Sequence, residues 1–363
     1  MKNNRFEFAL FISVILLALL GVIMVYSSSY VWATYKFNDG YKYLKNQGLF
    51  FIIGIILMIF VSKFDYKKYF KYSNKILIMS IILLILVLIP GIGSLRNGSR
   101  SWFGIGSFGI QPSEACKLAL IIFTAKYLSN NPNSMSDIKK GVIPILTITL
   151  IVFGLIMLQP DFGTGVIIVM TIIGMLFIAG LNIKIFVRFG ILGIAGVVGL
   201  ILVAPYRLKR ILSFLNPWSD PLGSGFQIIQ SLYAIGPGGL FGLGLGNSIQ
   251  KHFYLPEPQT DFIFSIISEE FGFLGVIIIS TLFIIVFYNC LKISMKCNDL
   301  FGKFLAFGIT FGFIFQTILN LSVVVGLIPV TGVTLPFLSY GGSSLLISMA
   351  SIGIILNISR YQK

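Results

Sequence analysis

Asp261 is the residue of this chain whose type and place most clearly suggest chemistry. It ends the polar run PEPQTD at residues 256–261, and the apolar residues Phe262, Ile263 and Phe264 follow at once. An ionisable carboxylate at the edge of an apolar segment is a functional-site candidate. The alternative is a helix N-cap, in which the carboxylate accepts hydrogen bonds from the free amides of the first turn. Glu257 is a second carboxylate four residues earlier, and a structural role is favoured for it.

Glu114 and Lys117 form a second candidate group, at the start of an apolar segment that opens with Gln111, Pro112 and Ser113. A spacing of three residues puts both side chains on one helix face, where they can form an ion pair. The alternative is a structural helix start with a lysine that snorkels to the membrane surface. Both interpretations are open from the sequence.

Asp161 is the third candidate, in the segment QPDFGTG at residues 159–165. Its carboxylate either caps the helix that follows or faces the same cavity as the other two groups, and capping is favoured.

Several kinds of site are excluded by residue type. His252 is the only histidine, so no metal site or catalytic triad can use two imidazoles. The three cysteines, Cys116, Cys290 and Cys297, have no metal-binding spacing and are interpreted as structural thiols. No glycine-rich phosphate loop or dinucleotide fingerprint is present. Acid–base chemistry must therefore come from carboxylates.

The composition predicts an all-α integral membrane protein. Of 363 residues, 56% are hydrophobic and only 11% are charged, and the apolar residues occur in long runs. A membrane-spanning helix needs about 20 apolar residues, which predicts about ten transmembrane helices in a single polytopic domain over residues 1–363. The predicted spans are 8–27, 47–64, 76–92, 113–127, 141–158, 164–181, 183–205, 262–288, 300–326 and 341–358.

The distribution of charge predicts the orientation. With both termini cytoplasmic, the inner segments carry 17 of the 27 basic and 4 of the 12 acidic residues, a net charge of +13 against +2 outside. This follows the rule that basic loops stay inside. The first apolar run is kept as a span, because it is longer than the apolar part of a cleaved signal peptide. The overall charge of +15 is explained by topology and attraction to anionic membrane lipids, and no motif supports nucleic-acid binding.

The longest outer loop lies between the seventh and eighth spans, at about residues 205–261. Residues 226–235 (FQIIQSLYAI) predict a short amphipathic helix, and a glycine-rich stretch follows at 236–246. Another outer segment, 329–344, is a broken entry to the last span, of a kind tolerated only where it lines a protein cavity.

Six motifs along almost the whole chain resemble the SEDS family of shape, elongation, division and sporulation proteins. In order they are NGSRSWF, QPSEACKL, QPDFGTG, NPWSDPLGSGFQIIQSLYAIGPGGLFGLGLGNS, LPEPQTDFIFSIISEE and LPFLSYGGSS. The wording of the long loop is more similar to the FtsW and SpoVE types of the family than to RodA. Gly109 and Phe253 depart from the pattern of division members, which often have a basic and an acidic residue there.

The resemblance implies a peptidoglycan glycosyltransferase of the bacterial cytoplasmic membrane, active in cell division or sporulation. Such an enzyme polymerises lipid II into β-1,4-linked glycan on the outer face and works with a class B penicillin-binding protein. Asp261 matches the family's essential aspartate, and Lys117 matches a functionally important lysine.

The reaction needs a base for the attacking 4-hydroxyl and positive charge for the leaving pyrophosphate. Asp261 is the expected general base. Lys117, with Arg207 or Arg210, is expected to hold the pyrophosphate, and a divalent cation such as Mg²⁺ or Mn²⁺ is a candidate helper.

Two other classes of function remain open. One is a lipid II flippase or other transporter, which would place ionisable groups near the membrane midplane. The other is a non-catalytic division scaffold.

Overall fold

The computed structural model describes residues 4–96, 98–104, 109–132, 137–203 and 212–361. A π-helical turn occupies Ile138–Val142, a short helix occupies 212–215, and 3-10 turns occupy Pro217–Ser219 and Gly236–Gly238. The helices are α1 (Asn4–Phe37), α2 (Lys42–Lys63), α3 (Lys67–Leu86), α4 (Pro112–Asn130), α5 (Ile143–Met157), α6 (Phe162–Ile178), α7 (Ile183–Val203), α8 (Phe226–Ile235), α9 (Ile263–Lys296), α10 (Leu300–Val324) and α11 (Gly342–Arg360).

Within these described ranges, seven helices are long and apolar enough to cross a membrane: α1, α2, α3, α5 with its preceding turn, α9, α10 and α11. The helix α6 is a shorter apolar helix. Together with α4 and α7, it occupies the remaining segments that the sequence predicts as spans. The first helix ends at Phe37, ten residues beyond the end predicted near Ser27. The chain is thus a helical, multi-pass membrane protein.

The expectation of a purely helical chain misses one short hairpin. Strands β1 (Ser94–Arg96) and β2 (Ser99–Trp102) pair antiparallel between α3 and α4. The turn includes Gly98 at φ 79°, a backbone conformation that glycine adopts without strain. This stretch has no apolar run for a helix, and strand pairing satisfies its backbone hydrogen bonds instead.

Helices α10 and α11 lie at the centre of the bundle. In the most apolar stretch of each, 67% and 72% of residues are buried inside the protein, against 28% and 22% in α2 and α3. The helix α10 packs on α4, α6 and α9, while α2 packs on α11 and α1 on α9. A central helix is shielded from lipid, so it can carry polar side chains that bond to neighbouring elements.

Helix α9 is broken near its N-terminal end. Gly272 has φ 62° and ψ −157°, a conformation that no helix contains. A Cβ atom there would lie 2.4 Å from the amide nitrogen of Gly242 and 2.7 Å from the carbonyl oxygen of Gly238. Only glycine fits, because the glycine-rich stretch passes directly against the break.

The glycine-rich stretch also repairs the hydrogen bonds that the break removes. Its amides donate to carbonyls of α9, and amides beyond the break donate back to its carbonyls. The pairs are Leu243 N to Glu269 O (2.9 Å), Gly244 N to Glu270 O (3.0 Å), Phe273 N to Gly239 O (2.9 Å) and Leu274 N to Leu240 O (3.1 Å).

Candidate functional site

Asp261 lies half-buried in a turn just before α9. Thr260 Oγ1 donates to its Oδ1 at 2.9 Å. The N-cap residue of α9 is Phe262, and no side-chain hydrogen bond caps the helix. The structure therefore does not support the N-cap interpretation of Asp261.

The backbone of the Asp261 turn is held by a neighbouring helix and loop. Asn320 of α10 donates from Nδ2 to the carbonyl oxygens of Asp261 and Val333, both at 2.7 Å. The amide of Tyr340 donates to the carbonyl oxygen of Gln259 at 2.8 Å. The turn is thus fixed to the segment at residues 329–344, whose last three residues begin α11.

Glu114 and Lys117 form the predicted ion pair on α4, with 3.0 Å between Lys117 Nζ and Glu114 Oε2. Both residues are buried, at 8% exposure for Lys117 and 5% for Glu114. Lys117 Nζ also donates to Gln316 Oε1 at 2.9 Å, and Gln316 Nε2 donates to the carbonyl oxygen of Thr334 at 2.9 Å. The snorkelling interpretation is wrong, because the ammonium group is bound inside the protein.

Asp161 is the N-cap of α6, as favoured from the sequence. Its Oδ1 accepts from the amide of Thr164 at 3.1 Å, and its Oδ2 accepts from Gln111 Nε2 at 3.1 Å. Burial raises the pKa of the Asp161 carboxyl; the charge of Glu114 adds to this and that of Lys117 opposes it. Asp161 therefore belongs to the same electrostatic environment as the ion pair.

Glu257 is exposed and has φ 45°, in the left-handed region. Its carbonyl oxygen accepts from the amide and the hydroxyl of Thr260, at 3.1 Å and 2.8 Å. Its backbone thus shapes the turn that carries Asp261. Arg207 and Arg210 lie outside the described residues.

The segment at residues 329–344 joins the motifs into one site. Ser343 Oγ donates to the carbonyl oxygen of Gly109 at 2.7 Å and accepts from the amide of Gln111 at 3.1 Å, beside the start of α4. Gly163, in the segment of Asp161, packs so closely on Thr331 that an added Cβ would lie 2.7 Å from the Thr331 carbonyl oxygen. The segments of Lys117, Asp161 and Asp261 therefore meet around this loop.

Gln316 and Asn320 are site residues that the sequence interpretation missed. Both are uncharged and lie inside an apolar helix, at 3% and 1% exposure. The available signal was their type, since amide side chains within a membrane-spanning helix usually hydrogen bond to another element.

A second buried group, which we call the α9 clamp, consists of Lys251, Glu269, Glu270, Ser27 and Ser248. Lys251 Nζ lies 3.0 Å from Glu270 Oε1, and Ser27 Oγ of α1 donates to both Glu270 oxygens at 2.7 Å. Glu269 accepts from Ser248 Oγ at 2.5 Å. Both glutamates are fully buried. The clamp fixes the start of the chain segment that ends at Asp261.

No group of three His, Cys, Asp or Glu side chains that could hold a metal ion occurs in the described part of the chain. We therefore assign no protein ligands to a divalent cation.

Comparison with known proteins identifies the relatives of this chain. A model for the FtsW, RodA and SpoVE family, described as cell cycle proteins, matches residues 7–363. Stage V sporulation protein E of Bacillus subtilis (strain 168) is 54% identical over 362 residues, covering 100% of this chain and 99% of its own. A probable peptidoglycan glycosyltransferase FtsW of Trichlorobacter lovleyi is 44% identical, covering 98% of this chain and 93% of its own.

Two solved structures have the same fold over almost the whole chain. One, described as "Structural coordination of polymerization and crosslinking by a peptidoglycan synthase complex", aligns with a TM-score of 0.80 at 30% identity, covering 98% of both chains. The rod shape determining protein RodA of Thermus thermophilus aligns with a TM-score of 0.71 at 28% identity, covering 97% of this chain and 96% of its own. The chain is more similar in sequence to these SpoVE and FtsW proteins than to this RodA, in agreement with the sequence of the long loop.

The family model matches nearly the full length of the chain, and one relative is identical at more than half of the aligned positions. Both findings lead to the same conclusion. The chain is a multi-pass protein of the cytoplasmic membrane, and it belongs to the FtsW, RodA and SpoVE family of cell cycle proteins.

Proposed function

We propose that this protein is a peptidoglycan glycosyltransferase that polymerises lipid II into β-1,4-linked glycan at the outer face of the membrane, in division or sporulation. The observation that carries the proposal is the meeting of a carboxylate and a buried ammonium group around one loop. Asp261 and Lys117 are both held by side chains of α10, Asn320 and Gln316. The names of the FtsW relatives support the same activity.

In the proposed reaction, the 4-hydroxyl of one sugar attacks the anomeric carbon of another as the undecaprenyl pyrophosphate leaves. Asp261 accepts the hydroxyl proton as general base. The new bond forms on the face opposite the leaving group, so the α-linked donor becomes a β-linked product without a covalent enzyme intermediate. This requires one base and no nucleophile.

Lys117 stabilises the negative charge that develops on the leaving pyrophosphate. An ammonium group has three N–H donors, and two of them are directed to Glu114 and Gln316 within the described residues. The third is available for a phosphate oxygen in this proposal. Arg207 and Arg210 are proposed as further pyrophosphate contacts, and Asp161 and Glu257 as residues that shape the substrate site.

The proposed topology has ten spans, with both termini in the cytoplasm and the loop at about 205–261 outside. Its support is the charge asymmetry of the sequence together with the order of the long helices. In this arrangement Asp261, Lys117 and the segment 329–344 all lie at the outer boundary, where lipid II presents its sugars.

The topology predicts different labelling of two exposed positions. A cysteine at Leu222, which is 89% exposed, should react with an impermeant thiol reagent added outside intact cells. A cysteine at Asn131, exposed after α4, should react only after the membrane is opened. The background should carry Cys297→Ser, since Cys116 and Cys290 are buried. The reverse labelling pattern would contradict the outer location of the site.

A class B penicillin-binding protein is the proposed partner, since polymerised strands must be crosslinked. The support is the fold shared with a chain from a complex described as coordinating polymerisation and crosslinking. Membrane lipids surround the helices, and no nucleic acid is expected to bind.

The transporter alternative is weighed against the break in α9, because transporters often use broken helices with buried ionisable groups. Here both glutamates near the break already accept hydrogen bonds from protein donors. That arrangement favours a structural role over an open ion site. A scaffold would keep partner binding but make no glycan.

The deciding experiment is turnover of labelled lipid II by purified protein, with and without its penicillin-binding protein. Formation of polymer that a muramidase degrades is the expected result. Lipid II moved across vesicle membranes without polymer would favour the flippase, and partner binding without either activity would favour the scaffold.

Lys117→Ala is expected to lower polymerisation about tenfold or more, the value of one hydrogen bond to a charged group. Lys117→Arg should restore activity only in part, because a guanidinium differs from an ammonium in shape and hydration. Since Lys117→Ala leaves Glu114 buried without its cation, the double variant Lys117→Met with Glu114→Gln serves as the folding control. It should be as stable as wild type and still impaired. Normal activity in the double variant would remove Lys117 from the mechanism.

A further inference from the structure

Gln316 and Asn320 occupy one face of α10, one turn apart. Residues four apart in a helix lie about 6 Å from each other along the axis and point to the same side. Gln316 contacts the ammonium group of Lys117, and Asn320 contacts the backbone of the Asp261 turn. One helical turn thus connects the two groups that the proposed reaction needs.

The two amides also share their remaining contacts. Gln316 donates to the carbonyl oxygen of Thr334 and Asn320 to that of Val333, at 2.9 Å and 2.7 Å. These carbonyls belong to adjacent residues of the segment 329–344. The contacts of Lys117 and of the Asp261 turn are therefore both fixed to the same stretch of backbone, Val333 and Thr334.

The chemistry of both positions requires an amide. Gln316 accepts a hydrogen bond from an ammonium group and donates one to a carbonyl, which neither a carboxylate nor an apolar side chain can do. Asn320 uses both hydrogens of its amide group on two carbonyl oxygens. A carboxylate of the same shape at position 320 would instead place negative charge against those two oxygens.

We infer that Gln316 and Asn320 are positioning residues that together set the separation between the Lys117 ammonium group and the Asp261 turn. This inference rests on the proposed function. The residues act through Lys117 and Asp261 rather than on the substrate. Loss of either residue should lower kcat and leave KM almost unchanged, because a misplacement of catalytic groups by about 1 Å slows the chemical step.

The first test uses variants of nearly the same size. In Gln316→Glu and Asn320→Asp, kcat for lipid II polymerisation should fall about tenfold or more, with KM near the wild-type value. The matched control is Thr317→Val. Thr317 is equally buried on the same turn, and its hydroxyl has no hydrogen-bond partner among the described residues. The control should keep wild-type kcat, and a similar loss in all three variants would overturn the inference.

A double-mutant cycle tests whether Gln316 acts through Lys117. If it does, Gln316→Leu with Lys117→Ala should be no slower than Lys117→Ala alone. Once Lys117 is absent, Gln316 has no ammonium group to position, so its replacement has no further effect. Losses that multiply would mean that Gln316 acts independently, and the inference would fail. If the Leu variants do not accumulate in the membrane, Gln316→Met, which also removes the acceptor for Lys117 but is closer in length to glutamine, replaces them in the cycle.

A measurement without catalysis separates this inference from the proposed function. Spin labels at Ile110 and Glu257, both exposed, report the distance between the start of α4 and the Asp261 turn. The distance distribution should be narrow in wild type and Thr317→Val and broader in Asn320→Asp. Unchanged distributions would contradict the positioning role. If the wild-type protein has no polymerase activity but the distribution still broadens in Asn320→Asp, only the proposed function would be contradicted.

Discussion

Asp261→Asn is expected to reduce glycan polymerisation by roughly 10²-fold or more, with thermal stability and membrane insertion close to wild type. The amide keeps the size of the side chain and can still accept a hydrogen bond from Thr260, the donor seen at 2.9 Å. It cannot take up a proton from the attacking hydroxyl. The measurement is the rate of polymer formation from labelled lipid II, with melting of the purified variant measured in parallel.

Two further variants sharpen this result. Asp261→Glu keeps the charge but moves it by one methylene, and it should also lose much of the activity because general-base catalysis depends on position. Glu257→Gln is the matched control, because it removes an exposed carboxylate from the same turn but keeps the backbone carbonyl through which Glu257 shapes that turn. It should remain active. Near-normal activity of Asp261→Asn would rule it out as the base, and Glu257 and Asp161 would then be tested in its place.

Lys251→Met is expected to lower the free energy of unfolding by about 3–5 kcal/mol, the typical cost of removing one partner from a buried ion pair. Lys251 lies 3.0 Å from Glu270, with the two side chains at 5% and 0% exposure. Glu269, also fully buried, is next to it. Without the lysine, Glu270 remains a buried carboxylate that has lost its ion-pair partner. Denaturation of the purified protein in detergent or bilayer discs measures the loss.

The control for this prediction is Lys45→Met. It also removes a lysine from an ion pair, with 2.9 Å between Lys45 Nζ and Asp39 Oδ2, but the side chains are 67% and 39% exposed. Water screens such a pair, so its loss should change stability little. A double variant, Lys251→Met with Glu270→Gln, should recover much of the stability lost in the single variant. Equal stability of Lys251→Met and wild type would show that the clamp does not hold the loop in place.

The α9 clamp and Asn320 hold the chain at two places, one before the Asp261 turn and one in it. The clamp holds the chain at Ser248 and Lys251, before the turn, and Asn320 holds the turn itself. A loop fixed at both ends loses less conformational freedom when it binds substrate. In the proposed mechanism, this is how a surface loop keeps a base in place without being part of a helix.

Local patterns in the sequence predict much of the structure. The apolar runs mark the long helices, since a bilayer imposes the length of each span. The helix at Phe226–Ile235 has the bounds that its amphipathic pattern predicts. Spacing along one helix predicts the contact between Glu114 and Lys117, and Asp161 caps the helix that begins at the next residue. The last two depend on residues within about one helical turn of each other.

The sequence alone could not show which distant groups these residues meet. Lys117 and Gln316 are 199 positions apart, and Ser27 and Glu270 are 243 apart. The glycine at 272 is required only because another segment passes against it. Side chains that lie far apart in the chain are brought together by helix packing, and no periodicity records that pairing. Buried polar groups are almost always hydrogen-bonded. Gln316 and Asn320 have their partners on other elements, so the tertiary structure alone decided that these two residues belong to the site.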